Sequence, residues 1–182
     1  MATGKPMNDA ESRREFVRSN HTCVVPYARK TSPPSMSIVH YAMDGDDIVF
    51  LTMSERQKAK AVRRLGQLSA CILAGESGGL SWPPEYLVVD GKATISTDMD
   101  DVVEQASKIV PIMTGKPLPT EAFPAVRQFM EREKRVVVRI TPESTFHSPA
   151  VHPDDNEEVV QAGESDEAVH GLGARLPWRN PT

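Results

Sequence analysis

Five cationic side chains, Arg56, Lys58, Lys60, Arg63 and Arg64, follow closely on the apolar run Ile48-Val49-Phe50-Leu51, and a second apolar run begins at Leu68. Read as strand, short helix and strand, this segment places Arg56, Lys60 and Arg63/Arg64 around one side of the helix, with Lys58 in the turn beside them. Ser54 stands where an N-cap hydroxyl would be. Free N–H groups and the macrodipole make a helix start of this kind an anion site, and a phosphate is its natural guest. The alternative is a basic face turned to water.

Other residues with chemical potential have weaker spacing. His40, Tyr41 and Tyr86 fall in strand-like runs and are candidate proton donors, although such residues are more often packed and hydrogen-bonded. His147 and His152 lie near Asp154 and Asp155 without the tight spacing of a zinc or iron site, so no metal is expected. Cys23 and Cys71 sit in apolar runs and form no CxxC pair, which reads as two buried thiols. Gly78-Gly79 is too short for a dinucleotide loop, and no acid–base dyad is legible.

The chain has 182 residues and a net charge of −4, with seven acids and two arginines falling after residue 150. The body is therefore close to neutral, and its basic cluster is local, suited to a small anionic ligand and not to nucleic acid. No apolar run is long enough to span a bilayer, and residues 1–20 lack a hydrophobic signal core; the expectation is a cytoplasmic protein without a membrane partner.

The elements that must position the cluster can be read in order. Residues 1–10 are polar and expected to be flexible, and Glu11–Ser19 reads as a helix. His21–Ala28 and Met36–Met43 read as strands around a proline-containing loop, with apolar residues on both faces of the second. Asp44-Gly45 makes a tight turn into Asp46–Leu51. Leu68–Leu73 is a strand, and Gly75–Pro84 a loop containing Trp82. Tyr86–Val89 and Lys92–Ile95 read as two strands around an Asp90-Gly91 turn. A helix Val102–Met113 follows acidic residues, and a second, Thr120–Arg132, is capped by Thr120 and interrupted or restarted at Pro124. Arg135–Ile140 is a strand closed by Pro142.

Residues 149–182 read as an acidic, flexible tail whose removal from Val151 onward should spare folding. Leu172 and Leu176-Pro177-Trp178 within it could dock on the body or on a partner subunit. Six or so strands joined mostly by tight turns, with helices before the last, predict an α+β, mainly β fold: an antiparallel barrel over 11–148 with flanking helices.

The segments PSMSIVHYAMDGDDIVFLTMSERQKAKAVRR, LSACIL, YLVVDGKATI and KRVVVRITP, in this order, resemble the split β-barrel (FMN-binding split barrel) of the pyridoxamine 5′-phosphate oxidase-like flavin and deazaflavin reductases. The second half looks most like the branch that uses coenzyme F420. The resemblance implies that Thr52 and Ser54 contact the cofactor phosphate, Arg56 and Lys58 neutralise it, and Lys60 lies close behind. It also implies that Ser37, Ile38 and Val39 line the ring through backbone groups, with Tyr86 and Trp82 approaching it across a homodimer interface. Ala61 stands where many relatives carry Asn, a departure that bears on the choice of cofactor. The implied function is F420-dependent hydride transfer to a small conjugated organic substrate. FMN is the alternative cofactor, and a non-catalytic flavin, F420 or haem binder the alternative role.

Overall fold

A computed structural model describes residue 7 and residues 9–74, 86–147 and 176–179. The order of elements is α1 (Ala10–Ser19), β1 (Thr22–Tyr27), β2 (Ser35–His40), β3 (Ala42–Asp44), β4 (Asp47–Met53), α2 (Gln57–Leu65), β5 (Gln67–Leu73) and β6 (Tyr86–Ser96). Then come α3 (Met99–Thr114), a single 3-10 turn (Thr120–Ala122), α4 (Phe123–Arg132), β7 (Arg135–His147) and β8 (Leu176–Pro177). The strands form one antiparallel sheet in the order β2-β1-β5-β6-β7-β4-β3, with β8 added to β7.

The two ends of that path, β2 and β3, are separated in the chain by Tyr41 alone. The sheet must therefore curl until its ends approach, and because β2 and β4 are not paired the barrel is split along that line. The run Met36–Met43, expected as one strand, breaks at Tyr41 for this reason. The Tyr41 ring is fully buried, its hydroxyl donates to the Val17 carbonyl at 2.7 Å, and its N–H donates to the His21 carbonyl at 3.0 Å. Fully buried and with its hydroxyl committed to Val17, Tyr41 is a structural pin, and burial pushes its phenol well above the usual pKa.

Local chemistry explains most element ends. Asp9 accepts from the Ser12 N–H and caps α1, and Asp98 accepts from the Asp100 N–H and caps α3. Gly66 and Gly115 close α2 and α3 at positive φ. The second helical segment begins as a 3-10 turn at Thr120 and becomes α-helical only at Phe123, with Pro124 in its first turn.

Two expected breaks are absent. Asp90-Gly91 is no turn: β6 runs through it as one strand with a bulge, and Pro142 lies inside β7 opposite Gly91. A Cβ on Gly91 would fall 2.2 Å from the Thr141 carbonyl oxygen, so glycine serves the close approach of two backbones here. The proline is accommodated because the bulge has already interrupted the ladder.

One apolar core fills the barrel around Phe50, Ile72, Leu87 and Ile140, and a second joins β4 and β7 to α3 and α4 through Val49, Val137, Val102 and Ile109. Trp178 belongs to the first core at 3% exposure, so the end of the expected tail is part of the body. Residues 148–175 lie outside the described residues.

Candidate functional site

The split between β2 and β4 opens into a cavity of about 470 Å³. Ile38, Val39 and His40 bring the free edge of β2 to it, and Leu51, Thr52 and Met53 bring the end of β4. An unpaired strand edge presents N–H and C=O groups ready for a planar partner. The far wall is apolar: Ile109, Val110 and Met113 from α3, with Phe129 and Met130 from α4. Ile38, Met113 and Phe129 are three of the five exposed large hydrophobic residues among the described residues, at 75%, 60% and 42% exposure, and all three line this cavity.

Three cations converge at the β4 end: Arg56, Lys58 and Arg135. Antiparallel register places Arg135 directly opposite Met53, one residue beyond the buried Thr52. Among the described residues neither Arg56 nor Lys58 makes an ion pair, and the only carboxylate near Arg135 is Glu133 at 3.7 Å. The Arg135 Nε is buried and has no hydrogen-bond partner. Burial holds the Lys58 ammonium below its usual pKa; the Tyr27 phenol opposes that shift, and the positive charges of Arg56 and Arg135 add to it. Three like charges with a single carboxylate at 3.7 Å, one of them carrying an orphaned buried donor, form a corner with unspent capacity to hold an anion.

The remaining cations of the basic run are otherwise engaged. Lys60 pairs with Glu55 at 3.1 Å and does not line the cavity. Arg63 donates to the Ser54 carbonyl at 2.7 Å and to its hydroxyl at 2.6 Å, while Arg64 donates to the Ala28 carbonyl at 2.8 Å. Ser54 therefore does not cap α2: the N-cap is Arg56, without a side-chain cap, and the Ser54 hydroxyl is held by Arg63 from the last turn of that helix.

Of the expected site residues, the cavity gathers Ile38, Val39, Thr52, Arg56 and Lys58. Ser37 lies beside it on β2, its hydroxyl directed to the Tyr27 phenol and helping to hold that group below its usual pKa after Ser35. Tyr86 stands at the start of β6 against Phe146, ring centroids 6.2 Å apart, and does not line the cavity of this protomer. Trp82 lies outside the described residues, as do His152 and the acids after it. Arg135 and the α3–α4 wall are the parts that sequence reasoning missed. Arg135 opens a recognised strand, and only the β4–β7 register carries it to Arg56 and Lys58.

Among the described residues no group of three or more His, Cys, Asp or Glu side chains is arranged to hold a metal ion, and no helix is long and apolar enough to cross a membrane. Cys23 is buried and Cys71 half-buried, both free, and burial pushes the Cys23 thiol up to about 12. Neither thiol lines the cavity.

Among curated proteins none matches the chain. Among solved structures it is similar to the conserved hypothetical protein Rv2991 of Mycobacterium tuberculosis, with 25% identity and a TM-score of 0.64 over 81% of this chain and 88% of that one. An F420 reductase shares the fold at 17% identity, TM-score 0.52, over 72% of this chain and 94% of that one. HutZ, the haem storage protein of Vibrio cholerae, does so at 15% identity, TM-score 0.54, over 75% and 92%. The sequence profile of the family described as Pyridoxamine 5'-phosphate oxidase matches residues 10–148, spanning α1 to β7 and every cavity-lining residue. The chain belongs to the pyridoxamine 5'-phosphate oxidase family of flavin-binding, oxidoreductase-like split barrels.

Proposed function

We propose that this protein is an oxidoreductase that binds coenzyme F420 in the split of the barrel and passes hydride between the deazaflavin and a small, uncharged, conjugated organic substrate. The observation that carries this reading is the division of one cavity into two chemistries: three cations with only Glu133 as a carboxylate neighbour, at 3.7 Å from Arg135, beside a buried threonine, and an apolar wall along a free strand edge. Arg56, Lys58 and Arg135 would hold the anionic end of the cofactor, and each charge-assisted hydrogen bond there is roughly twice as strong as a neutral one. Ile38 and Val39 would face the ring from the β2 edge. When bound, the cofactor supplies the hydride chemistry, and the protein supplies position, charge and exclusion of water. The α3–α4 wall, with Met113 and Met130 as adaptable surface, favours an apolar substrate.

A homodimer is part of the proposal. Directly paired residues share a face of a sheet, and the pairs Ile38–Val24, Val24–Cys71, Cys71–Val88 and Val88–Phe146 form one apolar row across five strands, none of it buried in the protomer. A second copy would cover that row and bring its own residues to the cavity mouth, where Ile38 already stands.

FMN is the alternative guest of the same corner. A haem binder is the competing role, favoured by His40 on the cavity wall, since an imidazole can ligate iron and the three cations would suit propionates. Titration with F420, FMN and haemin separates the three by fluorescence quenching, flavin absorbance and a Soret band. Saturable F420 uptake followed by oxidation of reduced F420 with a quinone or enone supports the oxidoreductase. Failure of both F420 and FMN to bind saturably overturns it.

A further inference from the structure

His40 is the one ionisable side chain on the cavity wall outside the cationic end. It ends β2, just past Ile38 and Val39, and is exposed. Thr22 Oγ1 lies 3.1 Å from His40 Nδ1, and the two residues are direct cross-strand partners. That hydrogen bond orients the ring, and among the described residues Nε2 makes no hydrogen bond. The groups around it leave this role to His40 alone. The lining residues of α3 and α4 carry no ionisable side chain, Thr22 is the neutral neighbour on β1, and Arg56, Lys58 and Arg135 gather where β4 meets β7 and α2. The neighbouring His21 packs against Tyr41, ring centroids 6.3 Å apart, and does not line the cavity.

We propose that His40 is the proton donor of this site. The inference rests on the oxidoreductase reading above and adds to it the residue that completes the reduction. Adding a hydride, one hydrogen with two electrons, to the β-carbon of an enone forms a C–H bond and moves the π electrons onto the carbonyl oxygen. A proton must follow. The Nε2–H bond of the protonated imidazole breaks, an O–H bond forms, and neutral His40 recovers its proton from solvent, to which it is open. The reductant is the reduced deazaflavin, which is oxidised by two electrons and releases its second hydrogen to solvent as a proton, so atoms and charge balance. Thr22 is the positioning residue: its hydroxyl holds Nδ1 so that Nε2 is the nitrogen left for the substrate.

The test uses the full chain, F420 and cyclohex-2-enone, comparing wild type with His40→Gln. General-acid removal is expected to lower kcat/KM about 10²-fold or more. It should also change the pH profile of the rate, while affinity for oxidised F420 stays within about twofold. A readout independent of turnover is the His40 Cε1–H resonance, which should shift when oxidised F420 is added to wild type. Thr22→Val should reproduce part of the rate loss and move that resonance. An unchanged pH profile in His40→Gln, or a His40 resonance indifferent to F420, overturns the proposal while leaving the cofactor reading intact. A tenfold loss of F420 affinity in His40→Gln makes His40 a binding residue and likewise overturns it. Absence of saturable F420 binding in wild type overturns the cofactor reading first.

Discussion

The guanidinium of Arg13, buried in α1, donates to the carbonyl of Pro177 at 2.9 Å, a contact spanning 164 positions of the chain. It is one of a set: Arg14 donates to the Trp178 carbonyl at 3.4 Å, the Trp178 N–H donates to the Glu143 carbonyl at 3.1 Å, and Arg179 pairs with Asp46 at 2.7 Å. The first helix and the last described residues thus close the barrel together, with the Trp178 ring beneath them.

Removing that strap should cost stability. Trp178→Ala deletes a fully packed indole, a change that typically costs about 3–5 kcal/mol. For a chain of this size that is a fall of roughly 6–20 °C in Tm. Truncation after residue 175 should do at least as much, against the expectation from composition that the whole tail is dispensable. Calorimetry of both variants decides it, and an unchanged Tm would remove Trp178 from the core.

Lys58→Ala and Arg135→Ala should each weaken F420 or FMN binding by about 1.5–3 kcal/mol, the scale of hydrogen bonds to charged groups. Lys60→Ala should leave it nearly unchanged, because Lys60 is engaged by Glu55 on an exposed surface. Fluorescence titration of the three variants provides the comparison. Equal losses in all three would mean a diffuse basic surface and not a built corner.

Gly91→Ala should destabilise severely, by more than about 3 kcal/mol, because its Cβ must displace backbone and not a side chain. Gly45→Ala, where the surroundings are open and only the positive φ of 62° resists, should cost about 1 kcal/mol. Urea unfolding measures both, and similar costs at the two sites would contradict the close approach at the bulge.

Acid should weaken the clamp between α3 and the sheet. Lys108 at 2.9 Å and Arg139 at 2.7 Å hold the Asp44 carboxyl below its ordinary value of 3.8. A carboxylate depressed in the folded state contributes stability in full above the unfolded pKa and loses it as pH falls through the folded one. Asp44→Asn should therefore flatten the decline of unfolding free energy between about pH 5 and 2, measured by denaturant titration at stepped pH. A variant as acid-sensitive as wild type would place the titration elsewhere.

Ile38→Glu and Val88→Asp each put a charge into this incompletely covered apolar row and should yield monomers by light scattering, with cofactor affinity reduced alongside. Monomeric wild type would sink the dimer.

How far the sequence could be read follows the range of the interactions involved. The period-two apolar runs, the Asp44-Gly45 turn and the grouping of Arg56 and Lys58 are set by neighbours within a few residues, so most of the elements and the closeness of these two cations were legible. Ser54 was misread as a cap because its hydroxyl is claimed by Arg63, a competition that only the folded turn of α2 decides. Asp90-Gly91 has turn chemistry, yet pairing along β7 holds it extended and converts the irregularity into a bulge.

By itself the sequence determined most of the strands and helices, the family and the run of cations beside β4, because these depend on local spacing and side-chain type. Tertiary structure alone decided that Arg135 joins Arg56 and Lys58, that Lys60 does not, that α3 and α4 wall the cavity, and that Trp178 belongs to the core. Each of these depends on which distant strands pair and in what register, and that is settled only when the curled sheet brings distant segments to the same place.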